Sequence, residues 1–298
     1  RQPASLCGVV GYKPTYGSVS RYGLIAMASS LDQIGPFAKT VDDAALLFEV
    51  IQGKDDMDGT SFAPEEVYVP ELDASVETSS FKGITVGVPK EYFLDEMDAE
   101  VKSQVEEAIE KMKSAGAEVK EISLSLTEYA LPAYYIIQPA EASSNLGRYD
   151  GLRYGTRAPG GLEESYLEAR KEGFGKEVKR RIMLGSFILS AGYYDAYYKK
   201  ALAVRTKIHA EMEAALKGVD VIVGPTTPTV AWNMGAKMDD PIAMYLADIY
   251  TVTANLAGIP AISVPCGEAH GLPVGIQFMA NHKEDAKLLR IANAFESL

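Results

Sequence analysis

The chain has 298 residues and carries 29 lysines and arginines against 41 aspartates and glutamates, a formal net charge of −12. A hydrophobic fraction of 47% and a charged fraction of 23% are typical of a folded globular protein and exclude collagen-like, coiled-coil and disordered classes. The acidic balance argues against direct wrapping of a nucleic acid backbone, which requires clustered lysine and arginine.

The few cysteines and histidines exclude several kinds of site. Cys7 and Cys266 are far apart and share no metal-ligand spacing with the three histidines. No disulfide framework is therefore expected, and a reducing, cytoplasmic location is the simpler interpretation. No run of about 18 apolar residues is free of polar interruptions, so no membrane helix is predicted. The sequence also lacks a phosphate-binding loop and a G-x-S-x-G nucleophile elbow.

The first part of the chain predicts mostly irregular structure. Residues 1–40 alternate short apolar pieces with Gly and Pro, which predicts loops and short strands with few helices. Because this dense segment begins at Arg1 rather than Met, we expect the chain to be a fragment. A helix is predicted over residues 41–52, with Thr40 as its N-cap. Residues 54–80 are polar and acidic and predict an exposed excursion.

A strand–helix–strand unit is predicted next. Residues 84–88 form a short apolar run before Pro89, and residues 99–114 carry apolar side chains at helical spacing. Residues 119–126 alternate in polarity as a second strand. Elements of these lengths are typical of a βαβ unit with parallel strands.

The second half of the chain combines a long helical part with further strands. Residues 163–217 are rich in Glu, Lys, Arg, Ala and Tyr and predict helices. Strands are predicted over residues 219–223, 261–264 and 274–278, and a last helix over residues 285–296. We therefore expect an α/β fold with one compact core, as a single domain over residues 1–298.

Asp248 is the first candidate for a functional role. It is the only charged residue in the apolar stretch 241–259. An unpaired carboxylate costs several kcal/mol to bury, so Asp248 requires a partner. Two interpretations are open: a structural acid that bonds to the backbone or to a tyrosine, or an anchor for the amine of a ligand.

Arg181 is the second candidate. Within the predicted helix it shares a face with Val178, Gly185, Ile188 and Gly192, which gives the guanidinium an apolar setting with room around it. A buried guanidinium suits two-point binding of a carboxylate. That carboxylate belongs either to the protein, as an internal salt bridge, or to a ligand.

Two further features accompany these candidates. Lys179 and Arg180, next to Arg181, are expected to be solvated. Tyr134 and Tyr135 precede the polar run 141–145, which is compatible with a phenol and hydroxyls in a cleft. An arginine and an aspartate with a tyrosine nearby would complement the two charged ends of a free amino acid.

Several segments of the sequence resemble the amidase signature family. They are RQPASLCGVVGYKPTYGSVSRYGLIAMASSLDQIGP, PAEASSNLGRYDGLRYG, EGFGKEVKRRIMLGSFILSAGYYDAYYKKA, GPTTPT, DDPIAMYLADIYTVTANLAGIPAISVPCG and GLPVGIQ, and they span essentially the whole chain. The EGFGKEVKRRIMLG and MYLADIYT stretches are similar to the glutamine-hydrolysing subunits of tRNA-dependent amidotransferases. The resemblance implies an amidase-signature fold, a mixed β-sheet core flanked by helices.

The resemblance also implies an amidase with a Ser–cis-Ser–Lys mechanism. A serine attacks the side-chain amide of glutamine, a second serine relays the proton, and a neutral lysine is the base. The chain begins at the arginine that follows the nucleophilic serine in the family motif, and the other two residues lie further upstream. Lys13 and Ser5 do not match these motifs. No catalytic residue is therefore assigned, and the chain by itself is expected to be inactive.

The resemblance does imply substrate-binding roles for three residues. By motif, Arg181 resembles the arginine that pairs with the α-carboxylate of glutamine, and Asp248 resembles the acid that binds its α-amine. Tyr134, or alternatively its neighbour Tyr135, resembles a tyrosine of the cleft. No cofactor and no metal is expected in this chain. The implied partners are B and C subunits. The B subunit uses ATP and Mg²⁺ to amidate a mischarged tRNA, which a partner rather than this chain would hold.

Three functions compete at this point. The leading one is a glutaminase subunit that releases ammonia for the amidation of Glu-tRNA(Gln) or Asp-tRNA(Asn), and the sequence does not distinguish the two tRNAs. The second is a stand-alone amidase of the same family that acts on another amide. A hydrophobic amide substrate, however, has no charged groups that Arg181 and Asp248 could bind. The third is a non-catalytic fragment that binds an amino acid as a scaffold.

Overall fold

The computed structural model describes residues 1–63, 80–93, 96–236, 244 and 246–298. These residues form two compact units. Unit 1 comprises Arg1–Tyr22, Gln33–Leu131 and Thr206–Leu298, and unit 2 comprises Gly23–Asp32 and Pro132–Arg205. The expectation of a single domain over residues 1–298 stays a prediction.

Both helices and strands occur along the chain. The strands are β1 (Val10–Lys13), β2 (Phe37–Ala38), β3 (Thr85–Pro89), β4 (Glu118–Ile122), β5 (Val221–Pro225), β6 (Ala261–Ala269) and β7 (Leu272–Met279). The helices are α1 (Gln2–Cys7), α2 (Val41–Ile51), α3 (Ala99–Ser114), α4 (Thr127–Leu146), α5 (Leu162–Gly173), α6 (Lys176–Ile188), α7 (Lys199–Leu216), α8 (Val252–Ala257) and α9 (Asp285–Glu296). In the part of the chain that the structure describes, no helix combines the length and the apolar character needed to cross a bilayer.

Unit 1 is built on the predicted mixed sheet. Its described strands follow the order β2-β1-β6-β7-β5-β3-β4. β3 pairs in parallel with β4 and β5, whereas β6 and β7 form an antiparallel hairpin and β1 pairs antiparallel with β6. The apolar strand β5 is buried along its whole length, as expected for a strand covered on both faces. β6 and β7 extend beyond their predicted bounds because the hairpin continues past the core.

The predicted βαβ unit is confirmed. β3 and β4 pair in parallel, and α3 connects them over the predicted residues. The carboxylate of Asp98 caps α3 and accepts hydrogen bonds from the N–H groups of Glu100 and Val101 at 3.0 and 3.1 Å. The apolar residues at helical spacing are the buried face of this helix: Val101, Val105, Ala108, Ile109 and Met112.

The strand predicted over residues 119–126 ends earlier, at Ile122. The N–H groups of Leu124 and Leu126 donate to the carboxylates of Glu91 and Glu211, at 2.8 and 3.1 Å, instead of to a neighbouring strand. Leu124 is nevertheless buried. The alternating polarity of the sequence therefore extends beyond the end of the strand, because Leu124 in the following turn is also buried in the core.

Residues 1–40 contain two short strands and one short helix, which confirms the prediction of few helices, but the helix α1 itself was not predicted. α1 has Pro3 in its first turn, and Gly8 ends it in the left-handed conformation, with φ 66°. Proline lacks the N–H that a first helical turn leaves unbonded, and glycine adopts positive φ without a steric penalty. The Pro and Gly interpreted as loop signals are thus the two ends of a helix.

The helix predicted after Thr40 is confirmed as α2, and the Thr40 hydroxyl accepts the N–H of Asp43 at 3.1 Å. The excursion predicted over residues 54–80, which follows α2, is not exposed at every described residue. Asp58 is buried, and its two oxygens accept Nε and Nη2 of Arg21 at 3.0 and 3.1 Å. These hydrogen bonds hold the pKa of Asp58 well below its usual range. Residues 64–79 of the predicted excursion lie outside the described residues.

Unit 2 is helical, as the sequence predicts from residue 163 onward, whereas the helix α4 was not predicted. It contains most of α4, all of α5 and α6, and the start of α7. The loop of residues 27–30 is bonded to α4 within this unit. The carboxylate of Glu141 accepts the N–H and the hydroxyl of Ser30 at 2.9 and 2.6 Å, and the amide of Asn145 donates to a backbone carbonyl of the loop at 3.1 Å. Glu141 and Asn145, from the polar run, therefore hold this loop.

Candidate functional site

Arg181 lies in the middle of α6, and its side chain is 20% exposed. Its Nε donates to Glu177, one turn earlier, at 2.9 Å. Among the described residues, the two terminal nitrogens of Arg181 make no hydrogen bond. Those two nitrogens form the fork with which a guanidinium binds a carboxylate at two points. The internal salt bridge therefore uses Nε and leaves that fork without a hydrogen bond to the described residues.

Tyr134 and Tyr135 lie within unit 2, near enough to Arg181 for their phenols to act electrostatically on its guanidinium. Their rings pack edge to face, with centroids 4.9 Å apart. Burial works to lower the pKa of Arg181, but the hydrogen bond with Glu177 and then the nearby phenol of Tyr134 outweigh it and raise this pKa above its ordinary value. The structure thus brings together two of the three predicted substrate-binding residues, Arg181 and Tyr134.

The apolar face expected around Arg181 is confirmed in part. Gly185 and Ile188 are buried, and Val178 is half-buried. Gly192 is not on this face, because α6 ends at Ile188 and Gly192 follows in a turn at φ 85°. Helical spacing relates residues only within one helix, so that part of the prediction is wrong.

The two basic neighbours of Arg181 differ from each other. Arg180 is exposed, as expected, and pairs with Glu177 at 3.0 Å. Lys179 is half-buried, and its ammonium donates to the backbone carbonyl of Lys171 at 2.5 Å. The stem of Lys179 lies partly buried along the helix surface while its ammonium makes an exposed hydrogen bond, so the expectation of a solvated Lys179 is confirmed in part.

Asp248 belongs to unit 1 and lies in a turn just before α8. It is half-buried, and its backbone carbonyl accepts the N–H groups of Thr251 and Val252 at 2.9 and 3.2 Å. Residues 241–243 and 245 of the stretch around it lie outside the described residues. Arg181 and Tyr134 belong to the other unit, so the association of Asp248 with that pair stays a prediction.

Side chains from two other elements hold the turn that carries Asp248. Gln2 of α1 donates through Nε2 to the carbonyl of Ala247 at 2.8 Å. Gln277 of β7 donates through Nε2 to the carbonyl of Tyr250 at 2.9 Å. Arg1 donates through Nη2 to the carbonyl of Thr251 at 3.0 Å and through Nη1 to Oε1 of Gln277.

Sequence reasoning missed these three side chains. Burial lowers the pKa of Arg1 to about 10, so its guanidinium stays charged at neutral pH. Gln277 is the one polar side chain in the predicted strand 274–278. The buried-polar argument that singled out Asp248 applies equally to it, and this signal was available in the sequence.

A buried titratable cluster lies elsewhere in unit 1. The carboxylate of Asp285 accepts the N–H and the hydroxyl of Thr15 at 2.9 and 2.5 Å, and the hydroxyl of Tyr12. Burial raises the pKa of Asp285. Burial and then the neighbouring Arg1 lower the pKa of Lys13 to about 7, although Asp285 acts in the opposite direction. Among the described residues no hydrogen bond joins Lys13 to Ser5, the pairing that a serine–lysine mechanism would need.

We expect Lys13→Met to increase the free energy of unfolding near pH 7 and to lose that advantage near pH 10. The pKa of Lys13 is lower in the folded than in the unfolded protein, so the unfolded chain binds more protons between about pH 7 and about pH 10.4, and wild-type stability rises across this window. Urea unfolding at both pH values measures the difference, with Lys39→Met at an exposed lysine as the control. A stability difference that does not change with pH would contradict this account.

The described residues contain no group of three or more His, Cys, Asp or Glu side chains in a metal-binding arrangement. The cysteines are free: Cys7 is exposed, and Cys266 is half-buried with its pKa raised by burial to about 12. A thiol with such a pKa is protonated at neutral pH and is a poor nucleophile.

A family model described as amidase matches residues 1–289. The chain belongs to the amidase family. The A subunit of the glutamyl-tRNA(Gln) amidotransferase of Caldanaerobacter subterraneus subsp. tengcongensis is 57% identical over 298 residues, which are 99% of this chain and 60% of that protein. The corresponding protein of Acidobacterium capsulatum is 58% identical over 302 residues, with 100% and 62% covered. The chain thus spans about 60% of the length of the curated relatives it matches.

Solved amidase structures have the same fold. The A subunit of the glutamyl-tRNA(Gln) amidotransferase of Thermotoga maritima superposes with a TM-score of 0.81 at 45% identity, over 100% of this chain and 59% of that one. The peptide amidase of Stenotrophomonas maltophilia superposes with a TM-score of 0.72 at 27% identity, over 99% and 59%. The predicted amidase-signature fold, with a mixed sheet and flanking helices, is therefore confirmed.

Proposed function

We propose that the chain is a large part of the glutamine-hydrolysing subunit of a tRNA-dependent amidotransferase. One observation carries this proposal: identity of 57–58% over nearly the whole chain to proteins named as A subunits of the glutamyl-tRNA(Gln) amidotransferase. Such a protein hydrolyses the side-chain amide of glutamine to glutamate and ammonia. The ammonia then amidates Glu-tRNA(Gln) or Asp-tRNA(Asn) on a partner subunit.

The state of Arg181 supports a carboxylate-bearing substrate. We assign it to the α-carboxylate of glutamine, because its Nε is held by Glu177 and its two terminal nitrogens stay available for a bidentate pair. The phenol of Tyr134 lies beside the guanidinium and would border the same carboxylate. A simple aliphatic amide has no carboxylate with which Arg181 could pair.

We assign Asp248 to the α-amine of glutamine. Its half-buried position and the hydrogen bonds that hold its turn suit a carboxylate that pairs with a ligand cation. The two assignments use opposite charges for the two charged ends of one amino acid. Together they explain why an amidase of this kind would prefer glutamine to uncharged amides.

We assign no residue of this chain to the chemical step, because Lys13 and Ser5 do not match the serine and lysine motifs of the family. The role proposed for this chain is substrate binding. We propose a cytoplasmic complex with B and C subunits, in which ATP and Mg²⁺ act on the B subunit. The net charge of −12 supports a division of labour in which a partner holds the tRNA.

The proposal is tested with the complete gene product and its partner subunits. Incubation with glutamine should release glutamate and ammonia in equal amounts, measured by a coupled glutamate dehydrogenase assay. Propionamide, which lacks both charged groups, should be hydrolysed with a far lower kcat/KM. Equal activity on the two amides would favour a stand-alone amidase and overturn the proposal.

A further inference from the structure

We infer that Gln277 and Gln2 are positioning residues that aim the carboxylate of Asp248 at the α-amine of the substrate. The inference rests on the proposed function, which assigns Asp248 to that amine. Each glutamine acts by holding the backbone of the turn, without contacting the substrate.

The hydrogen bonds flank Asp248 on both sides. Gln2 binds the carbonyl of residue 247, just before the aspartate, and Gln277 binds the carbonyl of residue 250, two residues after it. The donors come from a helix and from a strand of the sheet, which are rigid elements. A turn fixed at both ends limits the carboxylate of the aspartate to the few positions that its staggered side-chain rotamers reach from that backbone.

Burial of the neighbouring side chains agrees with this anchoring. Ala247 and Tyr250 are 1% and 0% exposed, and the hydroxyl of Tyr250 reaches Sδ of Met97 at 3.8 Å in the core. Asp248 and Ile249, between them, are only half-buried. The turn is therefore packed at its two ends while the residue that would meet the ligand stays accessible.

The orientation of the Gln277 amide is determined by its partners. Its Oε1 accepts from the guanidinium of Arg1 and its Nε2 donates to the carbonyl of Tyr250, within a fully buried side chain. A glutamate at this position has the same size and still accepts from Arg1. Its second oxygen, however, would face the Tyr250 carbonyl as acceptor against acceptor, which displaces the turn.

The experiment compares two substrates with the complete gene product in its complex. One is glutamine, and the other is glutaramic acid, which carries the same amide and the corresponding carboxylate but no α-amine. For Gln277→Glu and for Gln2→Leu we expect KM for glutamine to rise about tenfold or more. This is the effect of losing one hydrogen bond between charged groups, here the bond between the Asp248 carboxylate and the α-amine of the substrate. The value of kcat should stay within about threefold, and KM for glutaramic acid should not change.

Three controls separate the possible failures. Gln104→Glu, at a half-buried glutamine of α3, should leave both KM values unchanged. Asp248→Asn should raise KM for glutamine alone, and an unchanged value would overturn the role of Asp248 and this inference with it. If Asp248→Asn has that effect but Gln277→Glu and Gln2→Leu change neither KM, or change both KM values equally, only the positioning inference is overturned. Absence of glutamine hydrolysis in the wild-type complex would overturn the proposed function itself.

Discussion

Replacement of Arg181 by alanine should raise KM for glutamine by roughly 100-fold, while the kcat for the bound substrate changes far less. A half-buried guanidinium with an available bidentate edge forms a charge-assisted pair with a carboxylate, and truncation of such a pair costs about 2–5 kcal/mol. Steady-state kinetics of glutamate formation measure the change. Arg181→Lys should recover only a small part of the loss, because an ammonium cannot form the two parallel hydrogen bonds.

Arg180→Ala is the matched control for this prediction. Arg180 is next in sequence, lies on the same helix and bonds to the same carboxylate of Glu177, but it is exposed. We expect its removal to change KM by less than about twofold, since exposed ion pairs contribute little. Equal effects of the two substitutions would contradict the assignment of Arg181, because they would reflect loss of the Glu177 pair rather than of a substrate contact.

Gly185→Ala is expected to have the second large effect, a loss of about 3 kcal/mol or more in the free energy of unfolding. An added Cβ would lie 1.9 Å from the backbone carbonyl oxygen of Pro139 and 2.6 Å from Oγ of Ser143. Backbone atoms cannot yield as a flexible side chain does, so α6 must move away from α4. Because Arg181 is one turn earlier on α6, KM for glutamine should rise as well. Urea unfolding and glutaminase kinetics of the same preparation measure both effects.

Gly173→Ala is the control for this substitution. Gly173 is the last residue of α5, and a Cβ there would meet no atom within 4 Å. Alanine favours a helix over glycine by up to about 1 kcal/mol, so this variant should be as stable as the wild type or slightly more stable. A Gly185→Ala protein with wild-type stability would contradict the close approach of α4 and α6.

Much of the fold could be predicted because local patterns and tertiary structure agree. The position of α3 follows from its apolar spacing, and the parallel pairing of β3 with β4 follows from the βαβ order. α1 was missed because a helix of six residues is too short to display a repeating apolar face. Its Pro and Gly mark helix ends only once the turn between them is known to be helical.

The candidate site was predictable to a similar extent. Arg181 and Asp248 stand out because charged residues in apolar surroundings need partners. The sequence could not reveal that Glu177 occupies only Nε of Arg181, since this depends on side-chain geometry. Gln2 and Gln277 were missed for another reason: they are 275 positions apart along the chain, and only the sheet and α1 bring both to the turn of Asp248.

The most direct test of the central claim is transfer of the amide nitrogen of glutamine to tRNA. The complete gene product, assembled with the proposed B and C subunits, is given ATP, Mg²⁺, mischarged Glu-tRNA(Gln) or Asp-tRNA(Asn), and glutamine labelled with ¹⁵N in its side-chain amide. Mass spectrometry of the amino acid released from the tRNA should find the label in the new side-chain amide. With Arg181→Ala at low glutamine concentration the label should be lost, and it should return when ¹⁵N-ammonium is supplied directly. Amidation that never carries the glutamine label would contradict the account.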